Sequence, residues 1–193
     1  RDLSSNFSPP LKPFIAAYSD IAPGIAIELP PHAQKIDIDG EQEYMSVEGE
    51  LRRLTVYIGT LRKAARSAVI LPGAFTISGD AAPLPAAVEL QKYLFEVDEA
   101  IVRAGLVHLL GVPLYSSEKG VLCTGPTDIG GHFFRNRFEV VDSCANNVGH
   151  IKTVLAKANA GKVILRASVT PGNYWFDRAK YEKGLTGTEQ VHL

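Results

Sequence analysis

The stretch that decides the fold is Phe133–Ser168, FFRNRFEVVDSCANNVGHIKTVLAKANAGKVILRAS. Its first residues, up to Asp142, predict a strand, because apolar and charged side chains alternate there. Asn146 or Asn147 then caps a helix in which apolar residues recur every three or four positions and which Gly161 ends. The residues that follow, to Ser168, predict the next strand.

The chain after this stretch continues the same alternation of elements. Gly172 lies in a turn that leads into a short helix over Trp175–Glu182, which Gly184 ends, and Thr188–Leu193 begins a final strand. The order β-α-β-α-β over 131–193 indicates a small layer with helices over one sheet face. The predicted fold class is therefore α+β.

Towards the N-terminus the sequence is mostly β-like. A helix that begins near Ser8 is followed at once by the strand Ile25–Leu29, which predicts one αβ step of a parallel sheet. Lys35–Asp39 alternates as a strand, and hairpin turns are predicted at Glu48–Glu50 and at Pro72-Gly73. One more helix is predicted, capped by Asp98 and ending near Leu110.

Composition excludes several classes of protein. Of the 193 residues 46% are hydrophobic and 21% are charged, and the net charge of −1 argues against a uniformly basic nucleic-acid binder. Apolar runs such as Ala68–Leu71 are far shorter than the roughly 20 residues that span a bilayer. The chain begins at Arg1 with no visible signal peptide, and two distant cysteines fit a reduced protein, so we expect a cytoplasmic location and no membrane contact.

Charge is spread unevenly along the chain. Residues 1–130 carry eleven basic and sixteen acidic side chains, whereas residues 131–193 carry nine basic and five acidic ones. The last third therefore has the electrostatics of an anion binder, although a solvated basic surface gives the same balance. Basic residues interleaved with Trp175 and Phe176 suit RNA, through phosphate contact and base stacking, unless these aromatic residues fill the core. The candidate RNA-phosphate contacts are Arg135, Arg137, Lys152, Lys157, Lys162 and Arg166.

Other chemistry finds little support in the motifs. The five histidines lack metal-ligand spacing, so no metal site is predicted, and neither a GxSxG elbow nor a phosphate-binding glycine motif occurs. The pairs Asp37 with Asp39 and Glu41 with Glu43 are compatible with acid–base catalysis, but they are more typical of a solvated strand face. These motifs alone do not identify an enzyme.

Whole segments nevertheless resemble a known family. The helix start at Ser8–Leu11, the stretch YLFEVDEAIVRAGL over Tyr93–Leu106, the strand Phe138–Asp142 and the turn Leu185–Gly187 carry the resemblance, together with Leu165-Arg166-Ala167. Their order and spacing are similar to the C-terminal half of a bacterial family of class I S-adenosylmethionine-dependent methyltransferases with a THUMP-like domain. The stretch from Tyr93 is the most specific of these segments.

The resemblance implies a division of the chain into three parts. Residues 1–31 would be the tail of a Rossmann-like methyltransferase domain, 32–130 a ferredoxin-like middle region and 131–193 a THUMP-like domain. It also implies S-adenosylmethionine as the cofactor of the full-length family and RNA as the substrate. The glycine-rich cofactor loop and the acidic catalytic motif would lie upstream of Arg1, so no catalytic and no cofactor-binding residue is assigned in this chain.

Two functions from different classes follow. The first is the C-terminal, RNA-positioning portion of an S-adenosylmethionine-dependent methyltransferase, which would work with a methyltransferase domain in the same or in another chain. The alternative is a stand-alone, non-catalytic module that binds RNA or a protein, with homodimers formed by pairing of open strand edges. An enzyme that uses the carboxylate pairs of 37–43 is a third and weaker hypothesis.

Overall fold

A five-stranded sheet forms around the hairpin that the sequence predicts at Glu48–Glu50. Its strand order is β1-β3-β2-β4-β5, and every neighbouring pair is antiparallel except β2 with β4. Both predicted hairpin turns are confirmed, since β2 returns as β3 and β4 returns as β5. The strands are β1 (Gly24–Leu29), β2 (Glu41–Val47), β3 (Glu50–Gly59), β4 (Arg66–Leu71) and β5 (Phe75–Gly79).

The structure is a computed structural model that describes residues 8–33, 36–118, 120–166 and 172–193. Its contacts divide the chain into a first unit, Arg1–Phe138, and a second unit, Glu139–Leu193. Helix α1 (Leu11–Ser19) and strand β1 belong to the first unit. The proposed boundaries at 31/32 and 130/131 stay a prediction, because the contacts divide the chain at neither point.

Strand β1 corrects one expectation. The sequence predicts a parallel αβ step, yet β1 runs antiparallel to β3 over its whole length, from Gly24 opposite Gly59 to Leu29 opposite Leu54. Its residues thereby complete the edge of the same sheet that contains the two hairpins. Residues 36–39 correct another expectation, because they form no strand, while Lys35 lies outside the described residues.

A second sheet of the first unit has the order β7-β8-β6-β9. Helix α2 (Glu99–Ala104) follows β6 directly, and the Asp98 carboxylate caps it as predicted, accepting a hydrogen bond from Ala100 N at 2.8 Å. The helix ends earlier than predicted because Gly105 takes a left-handed φ of 74°, and a 3₁₀ turn follows at Val107–Leu110. The strands are β6 (Tyr93–Val97), β7 (Leu114–Ser116), β8 (Leu122–Gly125) and β9 (Phe134–Glu139).

These elements confirm the α+β class but not the ferredoxin-like middle region. Over 32–130 the described elements run from β2 to β6 without a helix, and α2 then precedes β7 and β8. A ferredoxin-like fold has the order β-α-β-β-α-β, with two helices. The ferredoxin-like middle region stays a prediction. Hairpins connect β2 to β3 and β4 to β5, and residues 60–65 lead from β3 to β4 without a helix.

The core of the first unit joins both sheets to α2. Leu54, Val56, Phe95, Ile101 and Leu106 are fully shielded from solvent and come from β3, β6, α2 and the residue that follows Gly105. Burial of each such side chain contributes roughly 1.5–3 kcal/mol. This core fixes the position of β9, the edge strand of the second sheet, whose Phe134 packs against it.

The second unit contains four of the five elements predicted over 131–193, in the order α-β-α-β. The first predicted strand, β9, is instead part of the second sheet of the first unit, which corrects the expectation of a single small layer. Asn147 caps the first helix, and its side-chain oxygen accepts a hydrogen bond from Gly149 N at 2.8 Å. The two strands pair in parallel, and the buried residues are Leu155, Ala160, Val163 and Leu165. The elements are α3 (Val148–Lys157), β10 (Ala160–Ile164), α4 (Tyr174–Glu182) and β11 (Glu189–His192).

Gly161 lies inside β10 and does not end α3, which corrects the predicted helix end. A Cβ atom at Gly161 would lie 2.0 Å from the carbonyl oxygen of Gly187, and a Cβ atom at Gly187 would lie 1.9 Å from that of Asn159. Two backbone segments therefore cross here without room for a side chain. The predicted extension of the strand to Ser168 lies outside the described residues.

Candidate nucleic-acid interface

Strand β9 places the first two predicted RNA contacts on one exposed face. Arg135 and Arg137 point to solvent, whereas Phe134, Asn136 and Phe138 are partly buried, as the alternating sequence predicts. Arg137 Nη1 lies 3.1 Å from Asp128 Oδ1 in an ion pair. These contacts leave the two guanidinium groups two residues apart on the same strand face.

Arg135 lies against the hairpin turn between β2 and β3. Gly49 has a φ of 79°, and a Cβ atom there would lie 2.6 Å from Arg135 Cγ. Only glycine fits both the left-handed backbone and the close approach of the arginine stem. Within the described part of the chain the Arg135 guanidinium has no hydrogen-bond or ion-pair partner. Its five N–H donors are therefore available to an anion.

A groove of about 360 Å³ runs beside these arginines within the first unit. The His132 ring stacks on Phe75 at its wall, with 3.5 Å between the ring centroids. Glu48, Pro72 and Gly73 also line the groove. A groove with guanidinium groups and a flat ring offers phosphate and base contacts together.

The other four predicted contacts lie in the second unit. Lys157 and Lys162 are exposed, Lys152 Nζ donates to the carbonyl oxygen of Lys183 at 3.0 Å, and Arg166 Nε lies 3.2 Å from His192 Nδ1. The two α3 lysines are five positions apart in the sequence, which places them about 140° apart around the helix axis. Lys162 and Arg166 alternate with buried Val163 and Leu165 and share the other side of the chain. Lys152 and Lys157 therefore point in different directions from α3, whereas Lys162 and Arg166 lie on the same side of the chain.

Helix α4 holds a group that the six predicted contacts omit. Trp175 and Phe176 are each 70% exposed, so the interpretation that they fill the core is wrong. The Arg178 guanidinium lies 5.2 Å from the centroid of the Trp175 ring, and Lys180 Nζ lies 4.8 Å from that of Phe176. Their helical positions are the signal that could have found them, because Tyr174, Arg178 and Tyr181 already form the inward stripe.

Glu41 is a structural carboxylate rather than a member of a catalytic pair. It is buried, and it accepts hydrogen bonds from Ser67 Oγ at 2.6 Å and from the backbone N–H groups of Lys63 and Ala64. Burial alone would raise its pKa, but these hydrogen bonds, chiefly that of Ser67, hold the pKa below its ordinary value. The carboxylate thus ties β2 to the loop before β4.

The remaining carboxylates of 37–43 each have a separate partner. Asp37 pairs with Lys12 and Asp39 with Arg62, both at 2.6 Å, and Glu43 accepts a hydrogen bond from the Tyr57 hydroxyl. Such partnering is that of surface ion pairs and strand packing. The acid–base hypothesis for these pairs gains no support from the geometry.

Thiol and metal chemistry are equally unsupported. Burial raises the pKa of the Cys123 thiol to about 11, which disfavours the nucleophilic thiolate. Among the described residues no group of three or more His, Cys, Asp or Glu side chains could hold a metal ion. In the same part of the chain, none of the helices combines the length and the apolar character that crossing a bilayer requires.

An S-adenosylmethionine cradle does not fit at the carboxyl end of β4. Such a cradle needs a glycine-rich turn beyond the carboxyl end of a parallel strand. At the end of β4, a strand with a parallel neighbour, a Cβ atom at Gly73 would lie 1.9 Å from the Phe75 ring, so the protein's own aromatic ring fills that place. We therefore assign no residue of this chain to that cofactor.

Comparison with known proteins shows one similarity of fold. No family model and no curated protein matches this chain. The crystal structure of a "putative methyltransferase" from Porphyromonas gingivalis W83 matches with a TM-score of 0.67 and 16% sequence identity. The match covers 98% of this chain and 52% of that protein, so this chain spans about half its length. At this identity the similarity shows a shared fold.

Proposed function

We propose that this chain is the RNA-positioning portion of an S-adenosylmethionine-dependent methyltransferase whose catalytic half lies outside these residues. The observation that carries the proposal is the match over 98% of this chain to 52% of a protein described as a methyltransferase. The two halves of such a protein would have different roles. The other half supplies the methyl donor and the chemistry, and this chain supplies a THUMP-like domain over 131–193 and the contacts that hold RNA.

The distribution of charge supports RNA as the partner. The second unit carries seven basic and five acidic residues, and the exposed face of β9 adds Arg135 and Arg137 next to it in sequence. Guanidinium and ammonium groups that meet phosphates release condensed counterions, and this release dominates the affinity for nucleic acids. The side chains proposed to contact phosphates are those of Arg135, Arg137, Lys152, Lys157, Lys162 and Arg166.

The test is joint replacement of these six side chains by alanine, with affinity for a single-stranded RNA of about 20 nucleotides measured over a range of salt concentrations. Each lost phosphate contact lowers the salt slope by about 0.7 for a single strand, so we expect the slope to fall by about 4. An unchanged affinity and slope would sink the assignment of these residues.

Two further variants separate RNA contact from folding. Lys152 and Arg166 hold other residues of the second unit, so a triple variant of Arg135, Lys157 and Lys162 removes the cations that make no such hydrogen bond. Its control replaces three exposed cations of the first unit, Arg52, Arg62 and Lys63, of which Arg52 and Arg62 form surface ion pairs with Glu50 and Asp39. We expect the first triple variant, and not the control, to lose affinity and about 2 of the salt slope.

A further inference from the structure

Trp175 and Phe176 form an exposed aromatic pair that the proposed phosphate contacts leave unused. Both rings are 70% exposed on α4, although tryptophan and phenylalanine usually bury most of their surface. The helix is nevertheless packed, since Tyr174 and Tyr181 lie against the core around Leu155. The two rings therefore face outward because the other face of α4 makes the packing contacts.

An excess of positive charge lies at one end of the helix that carries this pair. The two carboxylates of α4 are paired within the helix, Asp177 with Lys180 and Glu182 with Arg178. Lys183 follows the helix, and its carbonyl oxygen accepts the hydrogen bond from Lys152 Nζ. Within the described residues neither Lys152 nor Lys183 has a carboxylate partner, so an excess of positive charge lies at the C-terminal end of α4.

The surroundings favour one occupant of this surface. A protein partner that covers the rings would also have to desolvate Lys180, whose side chain lies over the Phe176 ring and is 48% exposed. Single-stranded RNA needs both groups, since its bases stack on aromatic faces while its phosphates meet the cations. The charge of the surface is complementary to a polyanion.

We propose that Trp175 and Phe176 form a platform on which unpaired bases of RNA stack. This inference rests on the proposed function, because it names the form of RNA that the second unit holds. Lys152 and Lys183, which have no carboxylate partner among the described residues, contact the phosphates that flank the stacked bases. The platform therefore selects single-stranded RNA over duplex RNA, whose bases have no free face, and it tolerates many sequences because every base has a π-face.

Intrinsic fluorescence tests the platform directly, because Trp175 is the only tryptophan in the 193 residues. The full chain is titrated with a single-stranded RNA and with an abasic ribose-phosphate strand of the same length. We expect the RNA to quench the emission by stacking and the abasic strand, which has the same charge, to bind more weakly without quenching. Trp175→Ala and Phe176→Ala should each weaken RNA binding about tenfold, and Trp175→Phe should retain most of it.

The control replaces an exposed aromatic residue elsewhere. Tyr18 of α1 is 47% exposed, and Tyr18→Ala should leave RNA affinity unchanged. RNA binding with unaltered tryptophan emission and with wild-type affinity in Phe176→Ala would overturn the platform and leave the proposed function standing. Absence of any RNA binding by the unmodified chain would overturn the proposed function itself. Self-association that Trp175→Ala abolishes, without an effect on RNA affinity, would assign the surface to a second copy and also overturn the platform.

Discussion

The two units of this chain differ in the size of their hydrophobic core and in their charge balance. Among the described residues the first unit buries a core of eighteen hydrophobic side chains, whereas the second buries four. The first unit has thirteen basic and sixteen acidic residues, and the second has seven and five. The larger unit thus carries a conventional core and an acidic balance, and the smaller one has a thin core and an excess of positive charge.

The difference teaches where a small unit finds its remaining stability. Glu182 of α4 accepts a hydrogen bond from Val163 N of β10 at 2.8 Å and pairs with Arg178 at 2.7 Å. The Glu182 carboxylate therefore accepts a hydrogen bond from a backbone N–H group of β10 that is not paired within the two-stranded sheet, and this bond fixes α4 to the sheet. With so few buried side chains, such polar contacts matter more in the second unit than in the first.

A leucine-to-alanine substitution in each core should produce the largest difference in stability between the two units. Leu54 and Leu155 are both fully buried, and replacement by alanine costs about 2–5 kcal/mol at either site. We expect Leu155→Ala to unfold the second unit, because it removes one of four core side chains, and Leu54→Ala to weaken the first unit without unfolding it. Amide hydrogen exchange, followed peptide by peptide, measures both. Equal loss of protection in the two units would break the comparison.

Lowering the pH should weaken the hydrogen bonds and ion pairs that Glu41 and Glu182 form. Glu41 in the first unit and Glu182 in the second both have a lowered pKa, the latter chiefly through the hydrogen bond from Val163 N. A lowered folded-state pKa stabilises the fold above the unfolded value near 4.5, and this contribution is lost as pH falls through the folded value. Both units should therefore lose stability below about pH 4.5.

The matched variants assign that loss to single carboxylates. Glu41→Gln should flatten the acid dependence of hydrogen-exchange protection in the first unit only, and Glu182→Gln in the second unit only, because glutamine does not titrate. We expect a cost near neutral pH of about 1–3 kcal/mol for each variant, since hydrogen bonds to charged groups are involved. A Glu182→Gln protein with the acid dependence of the unmodified chain would contradict this role.

The smallest effect concerns the contact between Gly49 and Arg135. Gly49→Ala imposes a left-handed backbone on alanine, which costs about 1–2 kcal/mol, and it also displaces the arginine stem. Gly111→Ala is the matched control, because Gly111 has a φ of 66° and open space around its missing side chain. Thermal unfolding should show similar destabilisation in both, while RNA affinity should fall only in Gly49→Ala. An equal change in RNA affinity would show that the Arg135 position does not matter.

Local signals predicted the elements that depend on local chemistry. The caps at Asp98 and Asn147 and the hairpin turn at Glu48–Glu50 are confirmed, because a capping carboxylate, a capping amide and a glycine act on their own neighbours. The direction of β1 was wrong because strand pairing is decided by a distant partner, here β3. The helix expected up to Gly161 failed for a similar reason, since the close approach of Gly187 is invisible in the sequence.

Within the candidate site, too, the sequence predicts local features but not long-range contacts. Alternation along β9 was sufficient to place Arg135 and Arg137 on one face. The sequence could not show that Lys152 reaches the carbonyl oxygen of Lys183 or that Arg166 reaches His192, because both contacts join residues 26 or more positions apart. The role of the six cations stays a prediction. The exposure of Trp175 could have been predicted from its helical position beside the inward stripe of Tyr174, Arg178 and Tyr181.

The crossing of Gly161 and Gly187 has a consequence for how this sequence can vary. A side chain at either glycine would collide with a backbone carbonyl oxygen of the other segment. A single replacement therefore forces the segments around Gly161 and Gly187 apart. Once they have separated, a second replacement meets an open gap and costs little more. The two positions should therefore show strong epistasis. A search through single replacements would find glycine fixed at both positions and would miss any pair of residues acceptable together.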